Sequence, residues 1–156
     1  MSEKLYKHLK CEPGQYADVY IAGPFFNAEQ LERVEAIKQI LSMKGLTYFS
    51  PKDNIMLSPD ASIEERRKAF EDNIKNICGC SWVLCITDGK DVGTMFEAGV
   101  AYAVSTPIVY FAETLGDRPF NVMLSESGIK VLRSRQELMD WDPNSYVKEE
   151  WMGDVQ

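Results

Sequence analysis

The chain has 156 residues, 45% hydrophobic and 26% charged, which suits one globular domain able to bury a full core without staples. Seventeen basic residues against 24 acidic ones give a formal charge of −7, which excludes a nucleic-acid polymer or an anionic membrane as partner. No apolar run reaches membrane-spanning length, and Met1 to Lys10 lacks the apolar core of a signal peptide, so a cytoplasmic protein is expected.

The elements follow in chain order. Residues 1–16 read as an N-terminal arm, 17–141 as the domain and 142–156 as an acidic tail packing on or near the site, with Trp151 its anchor. Asp18 to Gly23 is a short apolar run ending at Gly-Pro, as a buried strand does. Asn27 reads as a helix N-cap with Gln30 at the capping-box position and Phe26 and Leu31 at the staple positions. Leu31, Val34, Ile37, Ile40 and Leu41 form that helix's apolar stripe, and Gly45 ends it. Thr47 to Ser50 is a second strand, closed by Pro51. Ser62 and Glu65 make another capping box, opening a helix whose stripe runs Phe70, Ile74, Ile77.

Trp82 to Thr87 is the clearest buried strand, followed by the loop Asp88-Gly89-Lys90-Asp91 and a helix of small residues. A strand at Pro107 to Phe111, a short strand near Ile129 to Leu132 and a helix from Ser134 to Trp141 complete the core. Strands alternating with amphipathic helices predict an α/β fold: a doubly wound, flavodoxin-like (Rossmann-like) open parallel sheet of five strands, with helices on both faces. Ligands bind outside the carboxyl ends of such strands. Ala22 to Phe26 and Asp88 to Glu97 both collect there.

Cys11, Cys78, Cys80 and Cys85 include a CxC pair, and the one histidine, His8, is far from it. That pattern fits no zinc site, so no metal is expected and reduced thiols near a strand are the better account. A single histidine gives no support to a histidine-based triad.

Glu97 is the most informative residue. Its helical neighbours at i−4, i+3 and i+4 are Gly93, Val100 and Ala101, so its row is built to be packed. Burying a carboxylate is costly unless it has a partner or a task. Glu97 therefore reads either as a working glutamate at the mouth of a site or as one satisfied by a structural partner.

Three segments now carry a resemblance. Tyr20 to Phe26 (YIAGPFF), Asp91 to Ala103 (DVGTMFEAGVAYA) and Pro119 to Leu124 (PFNVML) occur in the order and spacing of the nucleoside 2-deoxyribosyltransferases. The resemblance spans roughly residues 18–140. It implies exchange of the nucleobase of a 2′-deoxyribonucleoside with a free nucleobase, with retention at C1′ and no cofactor. Carried over, Glu97 resembles the nucleophile at C1′ and Tyr20 the hydroxyl that orients it. Asp91 resembles a ligand of the sugar hydroxyls, and Asn121 a residue reaching the sugar's 5′ end from a neighbouring subunit. Met123 would line the same site, Phe25 and Phe26 would pack along the base, and Gly23 would be a further substrate-binding position. A homo-oligomer, a dimer or a dimer-based hexamer, is then implied.

Each role has a competing structural reading. Asp91 also fits the N-cap of its helix, Asn121 a turn residue, and Phe26 a helix staple. Asp53 follows the second strand and projects toward the crevice, but reads more readily as a turn carboxylate. Relatives use an aspartate on the preceding helix to protonate the leaving base. Here Asp72 and Asn73 compete for that place, and helical phase points to Asn73, at the edge of the buried stripe. An amide can hydrogen-bond a base edge but cannot act as a general acid. Two other readings remain: an N-glycoside hydrolase acting on 5′-nucleotides, and a non-catalytic nucleotide-sensing module. The hydrolase needs a phosphate cradle, which bulky Gly23-Pro24-Phe25-Phe26 does not resemble, although Lys90 and Arg66 are possible phosphate partners.

Overall fold

The computed structural model describes residues 16–156, so most of the expected N-terminal arm lies outside the described residues. The chain enters at β1 (Val19–Ala22), a four-residue strand buried throughout. It passes through α1 (Ala28–Met43) to β2 (Tyr48–Phe49) and then α2 (Pro51–Asn54) and α3 (Ile63–Gly79). Next come β3 (Trp82–Ile86), α4 (Val92–Ala103), β4 (Ile108–Phe111), α5 (Val122–Ser127), β5 (Lys130–Leu132) and α6 (Arg135–Asp140).

All five strands are parallel, in the order β2-β1-β3-β4-β5. The path starts mid-sheet, steps outward to β2, then crosses back past β1 to β3. The crevice of such a sheet opens where that reversal occurs, between the carboxyl ends of β1 and β3. This is the doubly wound, flavodoxin-like order read from the sequence.

Each strand divides its residues between two cores because side chains alternate across a sheet. Val19 and Ile21 join Trp82, Leu84 and Ile86 under the α1 and α6 face, where Val34, Ile37 and Leu41 close over them. Tyr20 and Ala22 join Val83 and Cys85 on the opposite face, under Ile77 of α3 and Ala98 and Ala101 of α4. Alanines at the α4 contact keep the helix close to the sheet. That closeness sets the height at which Glu97 meets β1.

Several expectations change. Pro51 does not simply end the second strand; it is the first residue of α2, where its missing N–H costs nothing. The first helix keeps its Asn27 cap, whose Oδ1 accepts from Gln30 N at 2.9 Å, but Gln30 reaches back to Phe26 N at 2.7 Å. Phe26 is 74% exposed, so no staple forms with Leu31. On α3 the Ser62–Glu65 capping box is complete, yet Phe70 is 54% exposed and only Ile77 of the predicted stripe is fully buried. Phe70 instead meets Phe96 of α4, ring centroids 6.0 Å apart, so its partner is a helix rather than the core.

The expectation of four reduced thiols fails at Cys78, which is disulfide-bonded, whereas Cys80 and Cys85 are free and buried. Spacing in sequence does not report which sulfurs meet in space. Among the described residues no cluster of three metal-binding side chains forms, and no helix is long and apolar enough to cross a membrane.

The tail has a defined course. Glu149 N donates to Ile129 O at 2.8 Å, and Phe120 pairs with Val155 as an isolated parallel bridge. The Trp151 ring packs on Phe120 at 5.5 Å, with the Arg133 guanidinium 5.8 Å over its ring. The last residues therefore lie against the start of α5.

Candidate active site

Glu97 stands on α4, whose first turn is held by Asp91. Asp91 Oδ2 accepts from Thr94 N at 2.8 Å and from Thr94 Oγ1 at 2.9 Å, a regular N-cap. The loop before it turns sharply: Gly89 and Lys90 both adopt positive φ, 86° and 50°. Asp88 anchors that loop to the end of β4, accepting from Glu113 N, Thr114 N and Thr114 Oγ1 at 3.0, 2.7 and 2.6 Å. The helix carrying Glu97 is thus fixed at its start by two aspartates with different tasks.

One turn and a half into α4, Glu97 Oε1 accepts a hydrogen bond of 2.7 Å from the Tyr20 hydroxyl. Tyr20 is fully buried on β1, its ring stacked on Phe49 of β2 at 5.6 Å. Burial pushes the Glu97 carboxyl up to about 7, the Tyr20 hydrogen bond opposes that rise, and the nearby Asp91 charge adds to it. Tyr20 is driven well above the ordinary phenol range by burial first, then by the adjacent Glu97 charge and hydrogen bond. Tyr20 therefore stays a donor and Glu97 is poised between acid and carboxylate near neutrality.

The remaining sequence candidates fall into three groups. Gly23 and Phe25 stand at the exit of β1, on the crevice side. A Cβ on Gly23 would come within 2.7 Å of Ile86 Cδ1, so glycine there permits the close approach of β1's exit to β3. Phe25 is half-buried, its ring 5.1 Å from Phe26. Asn73 lies one turn along α3 from Phe70, and its Oδ1 is buried without a hydrogen-bond partner among the described residues. Its neighbour Asp72 instead pairs with Lys68 on the outer side of the helix.

Asn121 and Met123 belong to a different part of the chain. Asn121 is the N-cap of α5, its Oδ1 accepting from Met123 N and Leu124 N at 3.0 and 3.3 Å. Met123 is 74% exposed. Asp53 is committed elsewhere: its carboxylate pairs with Lys38 of α1 at 2.7 Å.

A cleft of about 550 Å³ opens between the β3–α4 loop and the segment from β4 to α5. Met95, Leu115, Phe120 and Asn121 line it, but Glu97 and Tyr20 do not. Residues two apart on a helix point to nearly opposite sides, so Met95 and Glu97 face opposite flanks of α4. Glu97 looks toward β1, and Asn121 lies across the helix from it.

Phe49 and the Asp88 anchor were not singled out from the sequence. Phe49 sits on a strand of two residues, too short for periodicity to register. Asp88 sits in a turn-rich loop where an aspartate is unremarkable, and its partners lie 25 and 26 residues away.

The family model for nucleoside 2-deoxyribosyltransferase matches residues 19–133. The chain belongs to the nucleoside 2-deoxyribosyltransferase family. A 2-deoxyribosyltransferase from Bacillus psychrosaccharolyticus is 26% identical, superposes with a TM-score of 0.76, and is matched over 86% of this chain and 98% of that one. A conserved protein from Enterococcus faecalis V583 shares the fold at 20% identity and a TM-score of 0.59, over 78% and 94% of the two chains. A Clostridium botulinum CMP N-glycosidase does so at 18% and 0.52, over 78% and 93%. Curated proteins gave no match.

The elevated Glu97 pKa has a consequence for stability. Unfolded, this carboxyl ionises near 4.5; folded, it holds its proton to about pH 7. Its contribution is complete below pH 4.5 and is lost as pH rises through 7. Relative to the parent, Glu97→Gln is expected to gain roughly 3 kcal/mol between pH 4 and pH 8. Urea unfolding at the two pH values measures this, and a pH-independent difference would contradict it.

Proposed function

We propose that the protein exchanges the nucleobase of a 2′-deoxyribonucleoside through a covalent deoxyribosyl-glutamate on Glu97, with retention at C1′. The observation that carries this reading is the 2.7 Å bond from a buried tyrosine to the half-buried carboxylate of an otherwise uncharged helix. Tyr20 occupies Oε1, which leaves Oε2 for attack.

The steps balance as follows. Oε2 attacks C1′ while the C–N bond breaks, its electron pair leaving with the base. The transition state is oxocarbenium-like, and the adjacent carboxylate stabilises it before trapping it. The departing base takes its proton from water, since Asn73 has none to give. A second base then attacks C1′ from the vacated face through a ring nitrogen, returns its N–H proton to the water deprotonated in the first step, and releases Glu97 as the carboxylate. Two inversions give retention.

In this reading Gly23 and Phe25 border the base, Asn73 meets a base edge, and Asp91 gives its Oδ1 to the sugar while Oδ2 keeps the cap. Asn121 acts from a second chain. Two features support that assignment: Asn121 and Glu97 of one chain lie on opposite flanks of α4, and Met123 beside Asn121 is exposed. The smallest assembly that completes both sites is a two-fold dimer.

Two experiments test this. Incubating thymidine or deoxyinosine with a second free base should yield new nucleoside, and Glu97→Ala should abolish that yield with the fold intact. Free base and deoxyribose without new nucleoside would identify a hydrolase instead, and unchanged exchange by Glu97→Ala would refute the nucleophile. Separately, Glu97→Ala and Asn121→Ala should each be inactive, yet mixing them after subunit exchange should restore roughly a quarter of the parental rate, because each hybrid dimer has one intact site of two. No recovery on mixing would place Asn121 in cis or outside the site.

A further inference from the structure

The last residues of the tail bond to the chain on either side of Asn121. Phe120 N donates to Asp154 O at 2.9 Å, Gln156 N to Phe120 O at 3.0 Å, and Val122 N to Gln156 O at 3.1 Å. Asn121 is thus bracketed by peptide groups whose partners come from residues 154–156. Its own side chain caps α5, a helix of six residues and too short to hold its direction unaided. The direction in which Asn121 faces is therefore set from outside, by the tail.

Trp151 holds that tail in register. Its indole Nε1 donates to Asp154 O at 3.0 Å, the same carbonyl that receives Phe120 N. Its ring packs on Phe120 at 5.5 Å, and Phe120 in turn meets Tyr110 of β4 edge-on at 5.9 Å. The Arg133 guanidinium lies over the indole at 5.8 Å. A Cβ on Gly153 would come within 2.5 Å of Trp151 Cζ2, so glycine there lets the tail run close along the indole edge. Ring contact alone would suffice to seal Phe120, which is 3% exposed. The shared carbonyl adds a link from the indole to the backbone beside Asn121.

We infer that Trp151 is a positioning residue: through Phe120 and the Asp154 carbonyl it fixes how Asn121 is presented to the site of the partner chain. The inference rests on Asn121 acting from a second chain, as in the proposed function. Trp151 then belongs to the half of the shared site that lacks Glu97. No step of the reaction passes through its indole. Its effect on turnover is carried by the angle of the Asn121 side chain, and it is felt at the partner's Glu97.

The test is subunit complementation, read as thymidine turnover with a free base present. Trp151→Ala alone should lose at least about tenfold in kcat/KM, because a small displacement of a substrate contact is costly. Mixed with Glu97→Ala after subunit exchange, it should rise to roughly a quarter of the parental rate. One hybrid site then draws Glu97 from one chain and an intact Trp151–Asn121 pair from the other. Mixed with Asn121→Ala, it should stay at or below the rate of Trp151→Ala alone, since every hybrid site carries a lesion in the Asn121 half. Gly153→Ala, whose methyl displaces the indole without deleting it, should give the same two results and covers a Trp151→Ala chain that does not fold. Parental activity in both variants would overturn the inference. So would recovery with Asn121→Ala, which puts Trp151 with its own Glu97, or recovery with neither, the pattern of a residue that only holds the fold. Glu97→Ala mixed with Asn121→Ala is the control. If that pair recovers, the failures just named strike the inference alone; if it does not, the shared site falls and the inference with it.

Discussion

A hydroxyl on the first strand meets a carboxylate on the fourth helix, 77 residues later, at 2.7 Å. Much of the architecture is arranged so that this contact can exist. β1 must lie beside β3, which the reversal of strand order provides, and α4 must press against both. Ala98 and Ala101 allow that approach, Asp91 fixes where the helix starts, and Asp88 ties the preceding loop to the end of β4. Glycine at position 23 lets β1's exit close over Ile86.

The electrostatics of the pair follow from its burial. A carboxylate in a poor solvent favours its proton, and one strong donor does not fully offset that. The outcome, about 7, keeps a usable ionised fraction at neutral pH while leaving the charge poorly solvated and reactive. Tyr20 moves the other way in function: driven far up, it holds its proton and only donates. On the opposite face the chain uses charge structurally. Arg33 and Arg135 share Glu113, and Arg135 also meets Glu32, clamping α1, α6 and the end of β4 without touching the crevice.

The parallel sheet, its order and the α4 segment were legible in the sequence because each rests on a regular period or a cap. Val19 to Ala22 and Trp82 to Ile86 are apolar runs that only a doubly covered sheet explains. Glu97 announced itself by the smallness of its neighbours. What could not be read depends on neighbours distant in sequence. Phe26 and Phe70 fit local patterns of burial, yet both stay more than half exposed, Phe26 against Phe25 and Phe70 against Phe96 rather than in the core. Asp53 was drawn toward Lys38 rather than the crevice, and Cys78 found a disulfide that a CxC spacing does not forecast. Asn121 shows both sides at once: its capping role is local and visible, while the role proposed for it across a subunit boundary would depend on a second chain.

A covalent intermediate is the claim on which the functional account stands, and it is directly observable. The protein is incubated with thymidine in the absence of any acceptor base, quenched in acid, digested and mapped by mass spectrometry. One deoxyribosyl group on the peptide containing Glu97, absent after addition of a free base, is the expected result. Turnover of thymidine with no adduct on that peptide, or an adduct on another carboxylate, would contradict it.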